Sequence, residues 1–152
     1  MERHFGDFVH DLLNLASDDA LPRGWQQDQV FWLIGGGQYL GQTSIRPHLS
    51  SRYLLTYGGH IGYSIRPSRR RQGYGTRILA LALEEARRLG LQRVLITCNS
   101  DNLPSKRIIE QNGGRYESAM AMPAHLLRAE GRSANGQVDK LRYWIELVPQ
   151  PA

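Results

Sequence analysis

Six consecutive residues, Arg70-Arg71-Gln72-Gly73-Tyr74-Gly75, put two cationic side chains and two glycines where an extended run gives way to a helical one. That combination can hold an anion such as a phosphate. With no Cβ at positions 73 and 75 the backbone can approach a ligand closely. The first turn of a helix also leaves its N–H groups unpaired at the positive end of the helix dipole. Two other glycine loops are excluded by spacing. A dinucleotide fingerprint G-x-G-x-x-G needs a third glycine where Ile78 stands, and a P-loop needs Gly-Lys-Ser/Thr where Gly75 is followed by Thr76 and Arg77.

The flanking elements must hold this loop in place. His60-Ile61-Gly62-Tyr63-Ser64-Ile65 is rich in β-branched and aromatic residues, and Pro67, which lacks a backbone donor, ends it. After the glycines, Ile78, Leu79, Ala82, Leu83, Ala86 and Leu89 recur at three- and four-residue spacing, which predicts a helix with one apolar face, closed by Gly90. Val94-Leu95-Ile96-Thr97 reads as a strand buried on both faces. Beyond it, Asp101 or Asn102 can cap a second helix, with Pro104 in its first turn, Ile108 and Ile109 along it, and Asn112-Gly113-Gly114 at its end.

Taken with this order of elements, Arg70-x-x-Gly73-x-Gly75 resembles the Q/R-x-x-G-x-G/A motif of the GNAT superfamily of N-acetyltransferases, whose loop holds the pyrophosphate of acetyl-CoA. Asn102-x-x-Ser105-x-x-Ile108-Ile109-Glu110-x-x-Gly113 resembles the family's N-x-x-[SA]-x-x-[LIV]-[YI]-E-x-x-G segment. The resemblance is strongest over residues 57–118 and implies a single N-acetyltransferase domain over residues 1–152. The implied fold is α/β (α+β), with a central mixed, mostly antiparallel sheet of about six to seven strands, splayed into a V and flanked by helices.

The resemblance also implies acetyl transfer from acetyl-CoA to a primary amine of a small molecule or peptide, by direct attack in a ternary complex and with no metal. Main-chain groups of Ile65, Arg66 and Pro67 are expected to hold the pantetheine arm, and Arg70, Arg71, Gln72, Gly73, Tyr74, Gly75 and Thr76 the phosphates. Asn102 and Ser105 are expected beside the coenzyme, although Asn102 can equally serve as a helix cap. Many family members place an acidic tyrosine where this chain has Ile109. The catalytic candidates are therefore His60, Tyr63 and Glu110. Each has an ordinary alternative: His60 as a packed strand histidine, Tyr63 as pocket lining, Glu110 as a solvated helix residue. Tyr116 is a further polar candidate, and His48, Tyr53 and Tyr57 are candidates on the acceptor side. Cys98 could form an acetyl-cysteine, but its place at the end of a buried strand fits a small packed residue better.

The remaining chain completes the architecture. Phe5, Phe8, Val9, Leu12, Leu13 and Ala16 form an amphipathic stripe, broken near Asp18-Asp19 and Pro22. Val30–Ile34 and Tyr39–Ile45 are expected to form a hairpin about Gly35-Gly36-Gly37. Gly114–Ala119 and Leu141–Leu147 read as two more strands, joined by an Ala-, Gly- and Ser-rich linker over residues 120–138. In the family that linker and the segment around Trp25 flank the acceptor pocket.

At 152 residues the chain has the usual size of one domain. No apolar run is long enough to cross a bilayer. Met1–Asp7 carries acids and lacks an apolar signal core, and Cys98 is the sole cysteine, so a cytoplasmic protein without an internal disulfide is expected. The formal net charge is +5, and residues 60–90 hold seven arginines against two glutamates. A polyanion suits that surface. Coenzyme A is one; nucleic acid is another, but no nucleic-acid module accompanies the basic run. A non-catalytic acyl-CoA sensor is the alternative within the fold, and a homodimer is compatible with the family.

Overall fold

A computed structural model describes residues 27–133 and 135–147. The stripe from Phe5 to Ala16, and Trp25, lie outside these residues. β1 (Gln29–Gly35) and β2 (Gln38–Ile45) form the expected hairpin about Gly36-Gly37. β3 (Ile61–Ile65) adds antiparallel to β2, giving a sheet ordered β1-β2-β3. A 3-10 turn at Pro67–Arg69 leads to the loop, and α1 (Tyr74–Arg88) follows. Next come β4 (Arg93–Asn99), α2 (Leu103–Gln111), β5 (Arg115–Ala121), α3 (Ala124–Ala129) and β6 (Asp139–Glu146). β4, β6 and β5 form a second antiparallel sheet in that order. The segment between β5 and β6 is not merely a linker, because it forms α3 and buries Leu127.

The periodicity of α1 explains its placement. Ile78, Leu79, Ala82, Leu83 and Ala86 are all buried. Most of this stripe shares one core with Ile61, Val94, Ile96, Ile109, Tyr143 and Ile145, so α1 and α2 cover the same face of both sheets. At the C-terminus of α1, Gly90 N–H donates to Arg87 O (2.9 Å) and Leu91 N–H to Ala86 O (3.1 Å), the paired bonds of a glycine-terminated helix. α2 begins on Asn102, whose side chain accepts from Ser105 N–H at 3.2 Å, with Pro104 in the first turn. The two helices touch where Gly75 lies under Ile108, whose Cδ1 occupies the space a Cβ at position 75 would need.

The two sheets meet at a short joint. Gly59 bridges Ile96, and a Cβ on Gly59 would lie 2.6 Å from Leu95 O, so the approach requires glycine. Next to it, His60 N–H donates to Leu95 O at 2.8 Å, while Leu95 N–H donates to His60 Nδ1 at 2.8 Å. His60 is 8% exposed and lies beside the Trp144 ring, which also carries the Arg93 guanidinium 4.4 Å from its centroid. Burial pushes the His60 imidazole down from 6.5 to about 4, and nearby Arg46, Arg93 and His48 add to that effect.

Two predictions arise from these contacts. Gly75→Ala should destabilise the protein by about 1–3 kcal/mol through overpacking. Adding Ile108→Val, which removes the offending Cδ1, should recover part of that loss in urea unfolding midpoints. For His60, the unfolded chain takes up a proton near 6.5 and the folded chain only near 4. Stability from this group is therefore complete above about pH 6.5 and is lost progressively as pH falls toward 4. His60→Asn keeps an acceptor for Leu95 N–H but does not titrate, so between pH 7 and 4 its stability relative to wild type should rise by about 2–3 kcal/mol.

Candidate active site

The loop between β3 and α1 has the geometry of an anion cradle. Arg71 (φ 61°) and Gly73 (φ 82°) both adopt left-handed backbone conformations, so the chain winds tightly before the helix begins. Among the described residues, amides from Arg71 to Thr76 take no part in backbone hydrogen bonding, and the first bond is Arg77 N–H to Gly73 O at 3.1 Å. Alternating left- and right-handed residues gather such amides into a concavity suited to anions. Gly73 has open space where a Cβ would be, so its glycine is required by φ; Gly75 is required by the Ile108 contact.

Side chains around the loop are partly committed. Arg70 Nε donates to Ile65 O at 3.2 Å, tying the loop back onto the end of β3, and Arg69 donates to Gln38. Arg66, Arg69, Arg70 and Arg71 form no ion pair among the described residues. Thr76 Oγ1 donates to Gln111 Oε1 at 2.9 Å, and Asn112 Nδ2 donates to Thr76 O, so the Thr76 side chain serves the helix contact and only its amide faces the cradle. Pro67 opens the 3-10 turn, and Gln72 and Tyr74 complete the loop.

Beyond the joint the facing strand edges separate. Arg46 N–H bonds His60 O and Arg66 N–H bonds Leu40 O, which fixes the alternation along β3. Gly62 and Ser64 turn their main-chain groups toward β2, whereas Ile61, Tyr63 and Ile65 turn theirs away. On β4, Leu147 N–H bonds Gln92 O, so Val94, Ile96 and Cys98 face β6 and Leu95, Thr97 and Asn99 face outward. Leu95 is satisfied by His60. Past it, no backbone hydrogen bond joins Tyr63 or Ile65 to Thr97 or Asn99. This is the expected V-shaped splay, with the main chain of Tyr63 and the Ile65 N–H turned into the gap, while Thr97 lies against Tyr57 and Gly58.

A hydroxyl pair spans the gap near its α2 side. Tyr63 Oη lies 2.7 Å from Ser105 Oγ, which places Ser105 and the Asn102 cap at the same opening. Burial pushes the Tyr63 hydroxyl up to about 12, so it stays protonated at neutral pH. Ile109 is fully buried in the core and offers no polar group. Glu110 is exposed and accepts from Tyr143 Oη at 3.4 Å. Cys98 is buried, and desolvation raises its thiol to about 11, the opposite of what an activated nucleophile needs. His60 lies at the joint, apart from the hydroxyl pair, with Nδ1 engaged by Leu95.

The opposite face of the second sheet carries a turn that the sequence does not reveal. Leu54–Gly58 forms a single π-helical turn whose carbonyls are held from below. Arg142 donates to Leu55 O and, at 2.9 Å, to Thr56 O; Thr97 Oγ1 donates to Tyr57 O at 2.7 Å. Glu117 sits where the β5–β6 register shifts, and it accepts from Arg142 Nε (2.6 Å) and Trp144 Nε1 (2.9 Å). The Arg142 guanidinium holds the Glu117 carboxyl down at about 2. The turn presents the Tyr53 and Tyr57 rings, tilted 40° to each other with centroids 6.1 Å apart, while Tyr116 is 59% exposed and His48 is exposed. Alternation along β6 could have flagged Arg142, since it sits between apolar Leu141 and Tyr143, but its partner turn has no sequence signature.

Comparison with known proteins follows the same lines. Residues 7–115 match the family model described as an acetyltransferase (GNAT) domain. No curated protein matches the chain significantly. Among solved structures, the ribosomal-protein-alanine N-acetyltransferase of Brucella melitensis aligns over 93% of this chain and 78% of its own, at 17% identity and a TM-score of 0.66. A spermidine N-acetyltransferase SpeG chimera from Vibrio cholerae and hSSAT aligns over 96% and 78%, at 13% identity and a TM-score of 0.66. YncA of Salmonella typhimurium, solved with its cofactor acetyl-CoA, aligns over 82% and 68%, at 20% identity and a TM-score of 0.60. These likenesses establish the fold, and the family model covers well over half of the chain: the protein belongs to the GNAT acetyltransferase family.

Proposed function

We propose that this protein transfers the acetyl group of acetyl-CoA to a primary amine of a small molecule or peptide, by direct attack in a ternary complex. The observation that carries the reading is the unpaired amide run from Arg71 to Thr76 at the mouth of an open strand gap. Phosphates fit the cradle, aided by Arg66, Arg70 and Arg71. The amide-bearing pantetheine arm fits the main-chain groups of Tyr63 and the Ile65 N–H, which lack strand partners among the described residues. Acetyl-CoA supplies an acetyl group already activated as a thioester.

The chain must then manage charge and protons. An amine of pKa about 8 to 10 is mostly protonated at neutral pH and must lose a proton before attack. Oxyanion charge would be met by a main-chain N–H in the gap. Tyr63 serves as a hydrogen-bond donor to developing negative charge; at a pKa of about 12 it holds its proton too tightly for complete transfer to a thiolate, whose conjugate thiol has a pKa of about 8.5. Glu110, exposed beside Tyr143, is the carboxylate available to receive a proton, directly or through water. His60, buried with Nδ1 engaged, is better suited to holding the strands than to general-base work. Cys98 takes no covalent part.

Gly73→Ala and Gly73→Glu carry the same cost of a left-handed side chain, roughly 1 kcal/mol, and differ in charge at the cradle. Acetyl-CoA affinity by calorimetry should fall at least tenfold further in Glu than in Ala; equal affinities would remove the proposed site. Free-thiol release measured across a panel of amines and peptides should exceed background hydrolysis, and Cys98→Ala should keep at least half of the wild-type rate. Acetyl-CoA binding with no turnover on any acceptor would instead support an acyl-CoA sensor.

A further inference from the structure

We infer that the His60 side chain is a positioning residue that ends the pairing between β3 and β4 and thereby holds open the gap that receives the coenzyme arm. Leu95 is the last residue of β4 whose outward N–H and C=O are both satisfied from the first sheet, and both partners belong to His60. One bond is a main-chain bond; the other uses the imidazole. In a continuing antiparallel ladder, Leu95 N–H would bond to His60 O, which instead accepts from Arg46 N–H. Nδ1 takes that donor instead. Among the described residues, the outward main-chain groups of Tyr63 and the Ile65 N–H then have no strand partner, while Thr97 lies against Tyr57 and Gly58.

The ring is fixed in this role by its surroundings. His60 is buried and lies 6.3 Å from the Trp144 ring, measured between centroids, and Trp144 is itself paired in register with Leu95. Arg46 Nη1 donates to Gly59 O at 3.3 Å, holding the preceding residue of the joint. Burial favours the neutral form of the ring, which alone has a free Nδ1 lone pair, and the Arg46 and Arg93 charges act in the same direction, with His48 also nearby. Sequence alternation cannot predict this, because the side chain pairs with a backbone rather than with a neighbouring face.

The inference rests on the acetyl-CoA reading, and two ligands separate the two. 3′-Phosphoadenosine 5′-diphosphate carries the phosphates of coenzyme A without the arm, so it tests the cradle alone. Acetyl-CoA tests cradle and gap together. In the wild type both should bind; failure of both would sink the acetyl-CoA reading itself. His60→Ala should weaken acetyl-CoA binding at least tenfold while changing the affinity for the nucleotide less than twofold, with the KM for acetyl-CoA rising in parallel. His60→Asn, which offers Oδ1 to Leu95 N–H, should restore acetyl-CoA affinity to within threefold of wild type. Equal loss of both ligands in His60→Ala, unchanged acetyl-CoA affinity, or failure of His60→Asn to restore it would each overturn the assignment. Should His60→Ala not fold, His60→Phe provides the same loss of acceptor with the ring volume retained, under the same criteria.

Discussion

Two strand edges that would pair if nothing prevented them lie side by side and bond only at their base. An unpaired strand edge is a liability in most proteins, because its amides and carbonyls invite another strand. Here the liability becomes a binding surface. The joint at Gly59-His60 and Leu95-Ile96 brings the edges within reach, and His60 meets both outward groups of Leu95. Because α1 and α2 close one face of the sheets, the main-chain groups of Tyr63 and the Ile65 N–H are directed into an opening rather than onto a bare edge.

The loop depends on the same arrangement. It starts where β3 ends, and Arg70 caps the Ile65 carbonyl, so the unpaired edge and the unpaired helix amides form one continuous polar track. Gly75 lets α1 sit against Ile108 of α2, and Thr76 and Asn112 add hydrogen bonds across that contact. The second motif is thus tied to the first by packing. Ser105 reaches Tyr63 because α2 is pinned to the base of α1, and Asn102 can cap α2 without leaving the same opening.

Much of this was legible in the sequence, for reasons that differ by element. The stripe of α1 reads directly because burial repeats with the helix period, and Gly90 and Gly113 stop the helices they were expected to stop. The anion loop is legible because glycine and a following helix define main-chain geometry. What could not be read was contact across long separations. The bond from Arg142 to Leu55 and Thr56, the Tyr63–Ser105 pair and the engagement of Leu95 by His60 each join residues far apart in sequence. Short helix α3 was hidden too, since six residues leave too few turns for a period to show. The masking of function by type is clearest at His60, where a residue known for proton transfer is held neutral by burial.

The buried Ile109 sharpens how this site differs from one built around a helix tyrosine. A tyrosine there would have to place its hydroxyl within the apolar core in which Ile109 is fully buried, with little room and few partners. The hydroxyl-bearing groups at the opening come instead from β3 and from the start of α2, as Tyr63 and Ser105. Their pairing makes each dependent on the other for orientation, and the raised Tyr63 pKa keeps the phenol a donor over the whole neutral range. On the proposed reading, strand main chain, loop amides and this pair would share the handling of the donor. On the same reading acceptor choice would fall to the other face, where the turn at Leu54–Gly58 is fixed from beneath by Arg142 and Thr97 while Tyr53 and Leu55 remain exposed. Such a division would let exposed side chains vary without disturbing the strands proposed to hold the coenzyme, so the motifs point to the family's chemistry more sharply than to any acceptor.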